Sequence, residues 1–250
     1  MSNPLLETHD LSMRYGEFWA NTDINITINP DTIHGVIGPN GAGKTTLFNC
    51  LAGTLSPSSG KIVFDGKQIE HLAQYHRPRL GIGRSFQVTS LFPDLTVSEN
   101  LRLARQALEP SKGFVFWRPV KKSASQIADI DHVLERISLT NEKTTAASAL
   151  SHGQQRLLEV GMALMVKPKL LMLDEPTSGM GIDDVPAMTE LLSTLRAECT
   201  ILLIEHNVGL VSKVCDVVTV MHGGKVLVSG TPDEISENEE VKTAYLGEEI

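Results

Sequence analysis

Gly38-Pro39-Asn40-Gly41-Ala42-Gly43-Lys44-Thr45-Thr46 decides the reading of this chain. The stretch fits G-x-x-x-x-G-K-[ST], a loop that wraps nucleotide phosphates. Its glycines let successive backbone N–H groups turn inward as an anion-binding nest. A helix that begins at the loop adds the positive end of its dipole. In that role Lys44 reaches the β- and γ-phosphates, and the Thr45 hydroxyl binds Mg²⁺. The flanks agree: Ile33–Ile37 reads as a buried strand, and Thr45–Ala52 as a helix with Gly53 past its end. That context separates a phosphate loop from an ordinary glycine-rich turn. The loop predicts binding of a nucleoside triphosphate and leaves its purpose open.

A chain of 250 residues can bury a sizeable core. Hydrophobic content of 41% and charged content of 21% are those of a globular protein. The net charge of −8 argues against a surface built for nucleic acid, and aromatic content of 5% argues against a base-stacking platform. Cys50, Cys199 and Cys215 lie far apart without C-x-x-C spacing, so they read as buried, reduced thiols rather than a disulfide framework or zinc site. No basic region followed by an apolar stretch opens the chain, so a signal peptide is not expected. Leu170–Leu173 and Ile201–Ile204 are far shorter than the roughly 20 residues that span a bilayer. Any membrane role therefore runs through a partner.

The residues around the loop predict strands. Asn21–Asn29 places Ile24, Ile26 and Ile28 at period two, and Lys61–Phe64 enters a turn at Asp65-Gly66. From Leu91 to Lys167 the pattern turns helical. Thr96-Val97-Ser98-Glu99 is a capping box, and Ile127, Ile130, Val133, Leu134 and Ile137 recur at helical spacing. Between them, Pro110–Pro119 carries Phe114, Phe116 and Trp117. It reads as a loop folded back on its own helices, with docking of a partner as the alternative. Leu170–Leu173 and Ile201–Ile204 read as buried parallel strands. Val217–Met221, Gly223-Gly224 and Lys225–Val228 read as a hairpin. Thr231-Pro232-Asp233-Glu234 is a second capping box that opens an acidic helical tail. The expected fold is an α/β P-loop NTPase core with an N-terminal antiparallel β region and an inserted helical lobe. Its expected limits are 1–90 and 168–228 for the core, 91–167 for the lobe and 229–250 for the tail.

Four further elements narrow the chemistry. Lys169–Pro176 (KLLMLDEP) is a hydrophobic strand ending in two carboxylates. Asp174 is placed to hold Mg²⁺ or its water, and Glu175 to orient or deprotonate the attacking water. Arg84-Ser85-Phe86-Gln87 precedes the helical region. Leu150-Ser151-His152-Gly153-Gln154-Gln155 opens a helix, and a polar, glycine-containing helix start is a phosphate-binding device. It lies too far along the chain to belong to the first loop, so it suits a nucleotide held by a second subunit. His206 follows the strand Ile201–Ile204 and is a candidate γ-phosphate sensor, although a lone histidine there is more often structural.

With these in place the chain resembles the nucleotide-binding subunit of ATP-binding-cassette transporters along essentially its whole length. The resemblance assigns Tyr15 to adenine stacking, Gly38–Thr46 to the phosphate loop, Gln87 to the glutamine loop and Leu150–Gln154 to the signature. It assigns Asp174-Glu175 to the catalytic strand end, Ser178–Gly181 to the D-loop and His206 to the switch histidine. A closer similarity is to ATPases of branched-chain amino-acid importers, carried by Gly81–Gln87, Leu91–Leu101, Ser151–Arg156 and Ala244–Glu248. ATPases for urea transport or lipopolysaccharide export share parts of these. A cassette ATPase for iron–sulfur assembly is the alternative of another class.

The resemblance implies ATP and Mg²⁺ as ligands, with Thr45, Gln87 and Asp174 near the metal and Glu175, His206 and Gln87 in hydrolysis. It implies a second ATPase subunit, identical or closely related, whose Ser151, Gly153 and Gln154 complete the site in trans. Membrane permease subunits, an extracytoplasmic solute-binding protein and a place on the cytoplasmic membrane face follow from the same likeness. Three positions depart from or complicate the pattern. His152 replaces the first signature glycine. Gly181 stands where the D-loop commonly ends in aspartate, with Asp183 and Asp184 beyond. Phe18 and Trp19 compete with Tyr15 for adenine.

Overall fold

The computed structural model describes residues 3–85, 91–106 and 124–246. Gln87, the Phe114–Trp117 segment and Gly247-Glu248 lie outside the described residues. The chain opens with β1 (Leu6–Tyr15), β2 (Phe18–Ile24) and β3 (Thr27–Ile28). Ile24, Ile26 and Ile28 are all buried, as their alternation predicts. The alternating stretch Asn21–Asn29 is shared between the end of β2 and β3. Thr8 Oγ1 donates to Ile24 O at 2.8 Å and accepts from Ile26 N at 2.9 Å. A side chain thus takes ladder positions between β2 and β3.

β4 (Ile33–Ile37) leads through the phosphate loop into α1 (Lys44–Ala52). The helix starts one residue before the expected Thr45 and ends where expected. Gly53 closes it in the left-handed conformation at φ 76, its N–H reaching Asn49 O and Cys50 O. β5 (Ser59–Phe64), β6 (Lys67–Gln68), α2 (Arg77–Leu80) and β7 (Ile82–Arg84) follow. β1 pairs antiparallel with β2, β3 and β5, which gives an antiparallel sheet ordered β2-β1-β5-β6.

The helical stretch comprises α3 (Val97–Gln106), α4 (Ala124–Arg136) and α5 (His152–Leu164). The Thr96–Glu99 capping box forms: Glu99 N donates to Thr96 Oγ1 and Thr96 N to Glu99 Oε2. Ile130, Val133, Leu134 and Ile137 are buried, but Ile127 is 40% exposed, so the apolar stripe of α4 outruns the surface it packs on. Gly161 of α5 has a packing reason, since a Cβ there would lie 2.7 Å from Ile137 Cδ1.

The chain then runs through β8 (Leu170–Asp174), α6 (Val185–Leu195), β9 (Thr200–Ile204), α7 (Val208–Val214), β10 (Val217–His222), β11 (Lys225–Gly230), α8 (Pro232–Glu237) and α9 (Glu239–Leu246). The second sheet is ordered β11-β10-β4-β9-β8-β7, parallel except for the terminal β10–β11 hairpin. Its central strands are buried on both faces, the pattern of a covered parallel sheet. Leu171, Leu173, Ile201 and Leu203 join the cluster formed with α4, α5, α6 and α7. Leu170, Met172, Leu202 and Ile204 join the cluster formed with α1 and the antiparallel sheet. All three cysteines are free and buried.

Candidate nucleotide site at the ends of parallel strands

The parallel order places the carboxyl ends of β4, β9 and β8 side by side, the edge where open α/β sheets bind ligands. Gly38 leaves β4 against β10, where a Cβ would fall 2.1 Å from Met221 O. Gly41 and Gly43 hold φ of 77 and 95, and Gly43 caps α1. Only glycine adopts these turns without strain. Lys44 is 7% exposed and donates from Nζ to Gly38 O at 2.6 Å and to Pro39 O at 2.9 Å. It therefore folds back over the loop it serves. Thr45 and Thr46 are half-buried in the first turn of α1, while Asn40 and Gly41 stand exposed at the tip.

Asp174 ends β8 opposite Ile204 of β9. It is buried, and its Oδ1 has no hydrogen-bond partner. Burial and the neighbouring Glu175 push its carboxyl up to about 6, against the pull of Arg84 and Lys44. A buried carboxylate oxygen without a donor, beside a phosphate loop, is costly unless a cation meets it. That donor set fits Mg²⁺, which needs few protein ligands when phosphates supply the rest. Ser85, just past β7, accepts from Asp174 N through its hydroxyl at 3.3 Å. Arg84 lies over the Phe48 ring at 5.3 Å and donates to Thr54 Oγ1, so it braces β7 against α1.

Glu175 sits in the left-handed region at φ 49, its N–H bonded to Ile204 O at 2.9 Å. Strain of this kind persists only where the surroundings impose it. His206 follows β9, is 63% exposed, and brings Nδ1 to 3.8 Å from Glu175 Oε1. Lys44, the adjacent pair Asp174-Glu175, and His206, distant from one another in sequence, thus gather at one edge.

Ser151, Gly153 and Gln154 are elsewhere, at the start of α5. Gln154 N donates to Ser151 Oγ at 3.2 Å and Ser151 N to Gln154 Oε1 at 3.0 Å, a capping box turned on itself. Tyr15 lies at the tip of the β1–β2 hairpin opposite Phe18. Tyr15, Phe18 and Trp19 are all exposed, and Arg14 lies over the Trp19 ring at 5.4 Å. Asn21 connects this hairpin to the loop, donating from Nδ2 to Gly43 O at 3.1 Å.

The family model for ABC transporters matches residues 21–178. The chain is an ABC transporter ATPase. A second family model, for branched-chain amino acid ATP-binding cassette transporters, matches residues 225–250 of this cassette. It is 38% identical over 257 residues to the high-affinity branched-chain amino acid transport ATP-binding protein BraF of Pseudomonas aeruginosa, covering 99% of this chain and 100% of BraF. It is 39% identical over 254 residues to LivG of Escherichia coli K12, a protein of the same description, covering 99% and 100%. The ADP conformation of MJ1267, an ATP-binding cassette of an ABC transporter, superimposes with a TM-score of 0.87 at 28% identity, covering 99% of this chain and 100% of that one. Among the described residues, no helix is long and apolar enough to cross a membrane.

The departures noted in the cassette's sequence have structural counterparts. His152 is the first residue of α5 in ordinary helical conformation, so a side chain is accommodated there. Gly153 is the constrained position: a Cβ would lie 2.5 Å from Asp184 Oδ2. Gly181 has no positive φ, and a Cβ there would meet Asp184 at an ordinary 3.6 Å. The motifs assign no individual role to Asn21, Ser85, Arg156 or Glu205. Arg156 of α5 donates to Ser178 O at 3.2 Å, so α5 touches the turn after Glu175 within one subunit. A buried charge at the end of an apolar strand was the available signal for Glu205.

Proposed function

We propose that two such subunits, identical or paired with a close relative, enclose two ATP molecules head to tail. Gly38–Thr46 of one subunit would cradle the phosphates, with Lys44 swinging from Gly38 O and Pro39 O to the β- and γ-phosphates. Ser151, Gly153 and Gln154 of the other would approach the same γ-phosphate. Tyr15, with Phe18 and Trp19 beside it, offers the adenine an aromatic face. Thr45 and Asp174, the latter directly or through water, would hold Mg²⁺ together with Gln87. When bound, the ion would offset the charge developing on the β- and γ-phosphates.

Glu175 then orients and deprotonates the attacking water, and His206 stabilises charge on the γ-phosphate. The observation that carries this reading is the convergence of Lys44, Asp174, Glu175 and His206 at one sheet edge. ATP favours the closed pair and its hydrolysis the open one, so differential affinity moves a membrane partner between two states. The full-length likeness to BraF and LivG supports branched-chain or related amino acids as the solute. They would pass through separate permease subunits fed by an extracytoplasmic binding protein, with this subunit on the cytoplasmic face.

Glu175→Gln tests the chemistry. Turnover should fall by roughly 10²–10⁴-fold, while ATP still binds and a dimer accumulates in size-exclusion chromatography. Full hydrolysis in that variant would sink the role of Glu175. Coexpression with permease subunits of a branched-chain amino-acid importer tests the coupling. The subunit should copurify with a polytopic membrane protein, and leucine should stimulate ATPase activity in vesicles loaded with the binding protein. A subunit that ignores permeases and associates with an iron–sulfur scaffold would overturn the transport assignment.

A further inference from the structure

Glu205 follows β9 and is fully buried. Its two oxygens accept four hydrogen bonds from two separate stretches of chain. Oε1 accepts from Thr177 N at 3.1 Å and from Thr177 Oγ1. Oε2 accepts from His206 N at 3.0 Å and from Asn207 N at 3.2 Å. Three of these donors are backbone N–H groups, which can only donate, so both oxygens must accept.

The two stretches have different duties. Thr177 lies in the turn after Glu175, where Ser178 N bonds to Glu175 O at 3.0 Å and Met180 N to Thr177 O at 3.1 Å. On its far side, Ser178 O accepts from Arg156 of α5. Asn207 caps α7, its Oδ1 accepting from Leu210 N at 3.1 Å. One carboxylate therefore joins the D-loop, and through it the signature helix, to His206 and α7.

We propose that Glu205 is a positioning residue for hydrolysis: it latches the peptide of His206 to Thr177, so that the switch histidine and the turn after Glu175 move as one unit. The proposal rests on His206 taking part in turnover. The reason for a carboxylate is acceptor count. A glutamine keeps one acceptor oxygen but turns an NH₂ group toward one pair of donors. With the NH₂ toward Thr177 it can still donate to Thr177 Oγ1, but the Thr177 N–H loses its acceptor and faces amide hydrogens; turned the other way, the His206 and Asn207 N–H groups both lose theirs. Each stretch stays folded, while their relative placement loosens.

The test compares Glu205→Gln, His206→Ala and the double variant by single-turnover hydrolysis, alongside titration of a fluorescent ATP analogue. Misplacing a catalytic group by about 1 Å can cost 10²-fold. Glu205→Gln should therefore lower the hydrolysis rate roughly 10- to 100-fold while analogue affinity stays within about 3-fold. Because Glu205 acts through His206, the double variant should be no slower than His206→Ala. Losses that multiply, or an unchanged rate in Glu205→Gln when His206→Ala is inactive, overturn the latch alone. Full activity in His206→Ala removes the role of His206 and the latch with it. Should Glu205→Gln fail to fold, Thr177→Val removes only the hydroxyl bond. It should slow hydrolysis about 3-fold or more without changing analogue affinity, and an unchanged rate overturns the proposal.

Discussion

Glu175 and His206 meet across two neighbouring parallel strands, with Nδ1 of the histidine 3.8 Å from Oε1 of the carboxylate. Glu175 is held by Ile204 O, and His206 by Glu205. Both groups are aimed by backbone bonds to their neighbours rather than by their own side chains. His206→Ala should therefore lower kcat about 100-fold and leave the fold and the KM for ATP nearly unchanged. Steady-state ATPase assays with a thermal melt check this.

Lys44 gives a different split. Its Nζ bonds two carbonyls of its own loop. Lys44→Ala removes a charged donor to phosphate, at about 1.5–3 kcal/mol. The nucleotide Kd should rise about 10- to 150-fold, read by titration of a fluorescent ATP analogue. Unchanged affinity would remove Lys44 from the phosphate site.

Gly38 tests the backbone of the loop. At φ 150, with Met221 O 2.1 Å from where a Cβ would stand, the loop cannot accept a side chain without moving off β10. Gly38→Ala should cost about 3 kcal/mol and lower Tm by about 6–12 °C. Gly41→Ala has open space but the strain of the left-handed region at φ 77, so its cost should be smaller. A calorimetric comparison of the two separates clash from strain.

His34 sets an acid limit. It is buried in β4, where Nε2 shares a 2.8 Å hydrogen bond with Thr219 Oγ1, and burial lowers its pKa from 6.5 to about 4. Between those values the unfolded chain binds the proton and the folded one resists it. Stability from this group is therefore complete above pH 6.5 and is lost as pH falls through 4, by about 3 kcal/mol in all. Asp174 titrates with the opposite sign: its raised carboxyl makes the folded state the better proton acceptor as pH falls through about 6. Urea melts of His34→Gln against the native protein isolate the histidine. The variant should lose less stability between pH 6.5 and 4.

Much of the fold was legible because its signals are local. The phosphate loop, Gly53 after α1, and the pairs Thr96–Glu99 and Thr231–Glu234 each need only a few consecutive residues to form their bonds. The periodicity from Ile127 to Ile137 placed α4, but it marks an apolar stripe and not where the covering surface stops, so Ile127 stands exposed. The alternation over Asn21–Asn29 marked buried strand positions, but not the break between β2 and β3, where Thr8 from another strand takes the hydrogen bonds.

By itself, the sequence determined the phosphate loop, the order of the cassette motifs and the residue types able to do the chemistry. These are properties of short stretches, where spacing decides which backbone and side-chain groups can meet. Only the tertiary structure decided that Asp174 Oδ1 is left without a donor, that Gly153 is reserved for Asp184, and that Glu205 ties Thr177 to His206. Those relations arise when parallel pairing brings β8 and β9 side by side. Burial then forces each polar group there to find a partner or go without.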